Sequence, residues 1–444
     1  MSNAFPFIRV APQDVATHVV AYRHGVAITA AAFLRDVHAV SAHLPDTRYC
    51  LNVCGDRYHI TVLLAAAMLK GMTSLLPPNT ARETLRQLRA QYQDVCVIAD
   101  HSDNFENAIS IARLIETGFA GETPIPFFAA TELVGILFTS GSTGAPQPNA
   151  RTWGSLCSGV IAEAAALKLP ASSTIIGTVP AQHSYGLEST LALALQNGHA
   201  LSADHSFYPA DVGTALACVP PPRVLVTTPF HLRLLIESEE QFPEIDLIVS
   251  ATAPLSPQLA AQAEARFGVA VREIYGCTEA GQVASRRTTE GDLWTLFPGV
   301  NLAQRDQQVW VGGGHVGEAR ELHDAIEPVD ATTFRLHGRS GDMINIVGKR
   351  TSLAHLNFQL NSIAGVDDGI FVAPQEDGDS KVPRMAAFVV SKTLTAERIM
   401  SALRERVDAV FLPRPLHIVD QLPRNATGKI VQSELNEIVR AVRT

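Results

Sequence analysis

Long runs of one charge are missing from this sequence. Its 444 residues carry a formal net charge of -9, with acidic and basic residues interspersed. That argues against a nucleic-acid-binding or anionic-membrane surface. An anionic substrate would have to be met by local positive groups or a metal ion. Cysteine pairs are missing too. The six cysteines, at 50, 54, 96, 157, 218 and 277, form no Cys-x-x-Cys, and Cys50 and Cys54 lack a second pair at zinc spacing. They read as buried or free thiols in a reducing compartment. No apolar run is long: the longest, residues 61–68, is far too short to cross a bilayer. The N-terminus shows no charged-then-apolar leader pattern, so a cytoplasmic protein without a membrane span is expected. Internal repeats and low-complexity tracts are lacking as well.

What remains is a chain 46% hydrophobic and 18% charged, long enough for two or more packed domains. Short apolar runs at 49–53, 73–76 and 95–98 alternate with helix-like segments at 60–69 and 82–91. The pattern returns at 174–179, 223–227 and 246–250. It predicts parallel β-α-β units with both sheet faces covered. Near residue 300 the texture changes to antiparallel strands at 307–311 and 333–336. After Arg339 a small α+β unit begins, with strands at 343–347, 370–372 and 385–390 and a helix over 396–410. The expected fold is α/β: an N-terminal domain of doubly wound sheets plus a small β region over 1–338, then a small mobile α+β C-terminal domain over 343–444. Residues 339–342 form the link, where Gly341 supplies backbone freedom.

The most informative segment joins an apolar strand to Thr139, Ser140, Gly141, Ser142, Thr143 and Gly144. Glycines permit a tight turn with inward N–H groups, and four hydroxyls add donors, a nest suited to phosphate oxygens. It lacks the Gly-Lys-Ser/Thr ending of a Walker loop. By composition alone, an ordinary Ser/Gly-rich turn reads equally well. Farther on stand residues 179–186 (VPAQHSYG), 250–255 (SATAPL), 274–279 (IYGCTE), 343–350 (MINIVGKR) and 422–430 (LPRNATGKI). Asp324 lies fifteen residues before Arg339.

In this order, these motifs resemble those of the adenylate-forming superfamily of acyl- and aryl-CoA ligases, peptide-synthetase adenylation domains and luciferases. The resemblance covers nearly the whole chain. It implies binding of ATP with Mg²⁺, with the loop from Thr139 to Gly144 on the phosphates. It places Ser250, Ala251, Thr252, Tyr275 and Gly276 at adenine, Thr278 on the α-phosphate and Glu279 on the metal. Asp324 and Arg339 fall at the ribose, where a carboxylate can accept from both hydroxyls. Lys429 is implied as the catalytic ammonium of adenylation, stabilising charge that develops in a water-poor site. His183 borders the acyl pocket, although a lone His beside a strand end is also a common structural residue. Gly348 is implied in the thiol tunnel and Gly341 as the hinge. Ser184, Gly186, Leu187, Cys277 and Gly281 complete the candidate pocket, small and partly polar, which suits a planar aryl acid.

Some positions depart from the family pattern. The phosphate loop is expected to end in Pro146-Gln147-Pro148, where Pro-Lys-Gly is usual, and Ala251 and Thr252 replace glycines. The loop also arrives early, which implies a trimmed N-terminal subdomain. The compact chain and its hinge sequence are similar to AMP-ligases of bacterial aryl-polyene pigment clusters. That similarity implies a hydroxybenzoate-type acid, activated as acyl-AMP and passed to coenzyme A or to the phosphopantetheine of an acyl carrier protein. Amino-acid adenylation, fatty acyl ligation and a nucleotide-binding pseudoenzyme remain as alternatives.

Overall fold

Alternating apolar strands and helices build two open sheets. The computed structural model describes residues 7–9, 14–140, 146–204, 206–306, 308–339, 343–346, 349–373, 385–424 and 430–443. One sheet has six strands in the order Pro146–Thr152, Leu133–Ser140, Thr73–Leu76, Tyr49–Asn52, Val95–Ala99 and Ala108–Ser110. All its pairings are parallel except the first. The second sheet has eleven strands. Its middle runs parallel through Val271–Cys277, Leu247–Ser250, Arg223–Thr227, Thr174–Gly177, Ala200–Ser202 and Val19–Arg23. Antiparallel strands flank both ends. The doubly wound expectation holds, because strands buried on both faces need helices on both faces.

The helix Arg57–Lys70 shows how the two sheets are tied. Its residues 57–68 are all buried, the signature of a helix enclosed on every side. Asp56 caps it, accepting from the His59 N–H at 3.1 Å. The buried guanidinium of Arg57 donates to the carbonyls of Gly177 (2.6 Å), Val179 (2.7 Å) and Asp204 (2.7 Å). It thereby fixes a helix of the first sheet to strand ends of the second. Burial lowers its pKa to about 10, so it stays charged at neutral pH.

Beyond these sheets, Val300–Arg305, Gln308–Gly313 and Gly317–Leu322 make the antiparallel β region. The C-terminal segment contributes Met343–Ile346 paired with Lys349–Ser352, and a three-stranded sheet of Asp368–Val372, Ala386–Val390 and Leu416–Ile418. Leu356, Leu360, Phe371, Ile399 and Leu403 form an apolar cluster of their own there.

Two expectations need correcting. The helix read over 396–410 is Ala396–Arg404. The N–H groups of Arg406 and Val407 both turn back to the Leu403 carbonyl. Asp408 then accepts from the Val410 N–H at 3.1 Å, opening a separate short turn; a side chain that offers the backbone a local acceptor competes with helix. Secondly, Pro146-Gln147-Pro148 does not end a loop: it begins the strand Pro146–Thr152, with Gln147 opposite Thr139. That strand lies at a sheet edge, where proline costs no ladder bond. All six cysteines are free. Among the described residues no helix is long and apolar enough to cross a membrane.

Candidate active site

The side that the sequence motifs assign to the nucleotide is built around the strand Val271–Cys277 and the strand Gly281–Arg287 that returns beside it. Tyr275 is buried, its ring edge-on to Trp294 (5.8 Å) and Phe334 (5.7 Å). Its hydroxyl donates to Asp324 Oδ2 at 2.5 Å. Asp324 and Arg339 are direct partners across an antiparallel ladder, so their spacing in sequence becomes adjacency in space. Gly276 is irreplaceable by size: a Cβ there would lie 2.4 Å from the Gly281 carbonyl oxygen. The thiol of Cys277 is pushed up to about 12, first by burial and then by the carboxylates of Glu279 and Asp324. Five predicted residues on three strands, Tyr275, Gly276, Cys277, Asp324 and Arg339, therefore share one locality.

Ser250 ends its strand fully buried, and its hydroxyl has no partner. Ala251 is buried beside it. Thr252 holds a φ of +80°, a left-handed backbone rare for a β-branched residue. The glycine-like geometry thus persists although the glycine does not. Glu273, which the sequence reading overlooked, secures this segment. It is buried, accepts from the Leu255 N–H at 2.8 Å and from Thr288 at 2.9 Å, and pairs with Arg286 at 2.7 Å.

Between the nucleotide side and the acyl side lies Arg151, also overlooked. Its Nη2 donates to the Thr278 carbonyl (2.6 Å), Glu188 Oε1 (3.2 Å) and Ser184 Oγ (3.4 Å). Ser184 donates in turn to Glu188 at 2.6 Å. One buried cation therefore links the Thr278–Glu279 turn to the predicted pocket. His183 precedes the helix Ser184–Gly186 and is half-buried. Gly186 is packed so closely that a Cβ would sit 2.0 Å from the Pro180 carbonyl oxygen, and Leu187 is buried beside it.

A small, partly enclosed cavity of about 20 Å³, room for one water-sized group, opens here. The helix Trp153–Leu167 supplies one wall, Gly281 and Gln282 another, and Glu188 and His315 flank it. Of the pocket residues predicted, Gly281 lines it directly; Ser184 reaches it through Glu188. Glu163 also lines it. Its carboxyl is buried, bonded to Ser189, and pushed up to about 8 by burial and by Glu188. One signal could have found Glu163: it is the single charged residue of its helix.

Gly141, Ser142, Thr143, Gly144, Gly341, Gly348 and Lys429 lie outside the described residues. The backbones of Thr139 and Ser140 complete the strand that pairs with Gln147 and Pro146. Arg424 and Ile430, on either side of Lys429 in sequence, are bridged antiparallel. Arg424 also grips Asp368 with two bonds of 2.6 and 2.7 Å. Glu279 is exposed. Among the described residues no group of three or more His, Cys, Asp or Glu side chains is placed to hold a metal. A Mg²⁺ ion bound through one carboxylate and substrate phosphates needs no such cage, and Glu279 fits that donor set.

The AMP-binding enzyme family model matches residues 37–318. A 4-coumarate–CoA ligase of Halorhodospira halophila is 31% identical over 68% of this chain and 76% of its own length. A second 4-coumarate–CoA ligase, from Rhodobacter capsulatus, is 29% identical over 66% of this chain and 74% of its own. The fold superposes on O-succinylbenzoate coenzyme A synthetase of Bacillus subtilis, in complex with ATP and magnesium, with a TM-score of 0.81 at 17% identity, covering 97% of this chain and 100% of the other. The chain belongs to the AMP-binding enzyme family, within the adenylate-forming superfamily. Its class is that of the AMP-forming acid–thiol ligases.

Proposed function

We propose that this enzyme activates an aryl acid of the hydroxybenzoate type. The acid's carboxylate attacks the α-phosphorus of ATP, pyrophosphate leaves, and the acyl-AMP is then attacked by a thiol, releasing AMP. The observation that carries this reading is the bond from Arg151 to the Thr278 carbonyl, because it sets the acyl cavity directly against the turn assigned to the α-phosphate. Tyr275 holds the Asp324 carboxylate in place, leaving its other oxygen to accept from ribose. Mg²⁺ bound at Glu279 supplies charge neutralisation on the phosphates. Lys429 approaches the reacting carboxylate for adenylation and withdraws when the segment beyond residues 339–342 rotates about Gly341. Gly348 then lines the path of the thiol.

The pocket residues Ser184, Gly186, Cys277 and Gly281 are small, which favours a planar acid over a long alkyl chain. Both 4-coumarate–CoA ligases named above act on an aryl acid, which supports the same class, and coenzyme A is the acceptor in their names. A carrier-protein phosphopantetheine, as in aryl-polyene clusters, is the second acceptor to test. Pyrophosphate release from Mg-ATP should be measured against hydroxybenzoates, cinnamates, fatty acids and amino acids. Strong release with an aryl acid is expected. Release with fatty acids alone, or none with any acid while ATP still binds, would overturn the reading.

A further inference from the structure

The small cavity beside the proposed acyl pocket, with room for a hydroxyl but not for a ring, has an unusual amount of buried ionisable chemistry. Arg151 and Glu188 are each about one-tenth exposed and lie 3.2 Å apart, so they neutralise one another. Glu163, on the facing helix, is held to Ser189, which itself accepts from Gln282 Nε2 at 2.6 Å. His315 completes the cluster, its ring against Gly159, where a Cβ would lie 3.1 Å from the imidazole.

The protonation of His315 follows from its partner. Nε2 lies 2.8 Å from the Gln282 carbonyl oxygen, which can only accept, so Nε2 carries the hydrogen. Burial lowers the pKa of the ring and keeps it neutral. Nδ1 is then a bare acceptor, buried and without a hydrogen-bond partner. An orphaned buried acceptor costs about 1–3 kcal/mol unless a donor arrives. Glu163, its pKa raised to about 8, is largely protonated at neutral pH and brings an O–H to the same cavity.

We infer that Glu163 and His315 read a hydroxyl on the ring of the acid, selecting it over an unsubstituted, amino-substituted or dicarboxylic analogue. A hydroxyl both donates and accepts, matching the His315 acceptor and the Glu163 donor. A ring amine is neutral near pH 7 and its lone pair is delocalised, so it can donate to His315 but accepts poorly from Glu163. A second carboxylate would meet two carboxyl groups, and the charge of Arg151 is already neutralised by Glu188 at 3.2 Å, which leaves only the buried Arg151 Nε–H unpartnered. The inference rests on the aryl-acid reading above and adds which feature of the acid is recognised and by which side chains.

The test compares pyrophosphate release for ring-hydroxylated benzoates and cinnamates with release for their parent, amino and dicarboxylic counterparts, as ratios of kcat/KM. The intact enzyme should favour the hydroxylated acid at least about tenfold, because a site built to bond a hydroxyl rejects the analogue lacking it. His315→Phe should bring the ratio of hydroxylated to parent acid within about twofold. Glu163→Gln, which keeps shape and a donor, should retain most of the ratio, whereas Glu163→Leu should lose it; circular dichroism would check folding. A ratio near one in the intact enzyme, a preference for the amino acid analogue, or a ratio that survives His315→Phe would overturn the inference while leaving aryl activation intact. Turnover of fatty acids alone would instead remove the reading beneath it.

Discussion

The two halves of the site are held by different means. On the side proposed for the nucleotide, backbone geometry dominates: a left-handed Thr252, a Gly276 pressed against a carbonyl, and a ladder that sets Asp324 opposite Arg339. On the acyl side, long side chains from distant segments converge: Arg151 from an edge strand, Glu163 from a helix, Glu188 from a second helix, and His315 from the β region. A nucleotide is the same molecule in every member of a family, so its site can be built into the main chain. A variable acid is matched more readily by side chains, which change without moving the fold. The chemistry should therefore be sensitive to residues of the first kind and the choice of acid to residues of the second.

The largest effect expected is at Lys429. Lys429→Ala should lower adenylation by a factor on the order of 10² to 10³, the usual loss when a preorganised charge stabiliser is removed. Thiol transfer from preformed acyl-adenylate should survive. Measuring the two half-reactions separately decides this, and an equal loss in both would contradict a rotation that withdraws Lys429.

A smaller effect, on stability, distinguishes the acyl side. Glu163 is protonated in the folded enzyme up to about pH 8, whereas the unfolded chain ionises it near the usual carboxyl value of 4.5. The folded state therefore binds more protons between these limits. Stability is lost as pH rises through that window, by on the order of a few kcal/mol, and levels off above it. Glu163→Gln should remove that component, so urea midpoints of variant and parent should diverge in the variant's favour from pH 5 to pH 9. Parallel curves would mean that Glu163 ionises normally.

The smallest expected effect lies on the nucleotide side. Thr252→Gly should relieve the positive φ and stabilise the fold by about 1 kcal/mol, less the entropy glycine loses on folding. A lower thermal midpoint would show that the threonine side chain contributes more than its backbone costs, and would move this residue into the side-chain class.

Much of this architecture could be read from the residues in order. The strands Thr73–Leu76 and Arg223–Thr227 and the helix Arg82–Gln91 fall at their predicted bounds, because period and flanking turn residues are local properties. The spacing from Asp324 to Arg339 singled out both residues, but their pairing across one ladder is a property of the fold. Helix ends were less legible: Ala396–Arg404 stops early because Asp408 offers a competing acceptor. The Pro-Gln-Pro segment was misread because only sheet position makes those prolines harmless.

By itself, the sequence determined the alternation of strands and helices and the order of motifs that mark an adenylate-forming enzyme. These depend on near neighbours and on backbone freedom, which a linear string records. Tertiary structure alone decided that Arg151, Glu163, Glu188 and His315 share one cavity, that Tyr275 holds Asp324, and that Glu273 anchors the segment at Thr252. Those pairs are separated by tens to more than a hundred positions, and their charges, protons and unpaired acceptors acquire meaning only once burial removes water from around them.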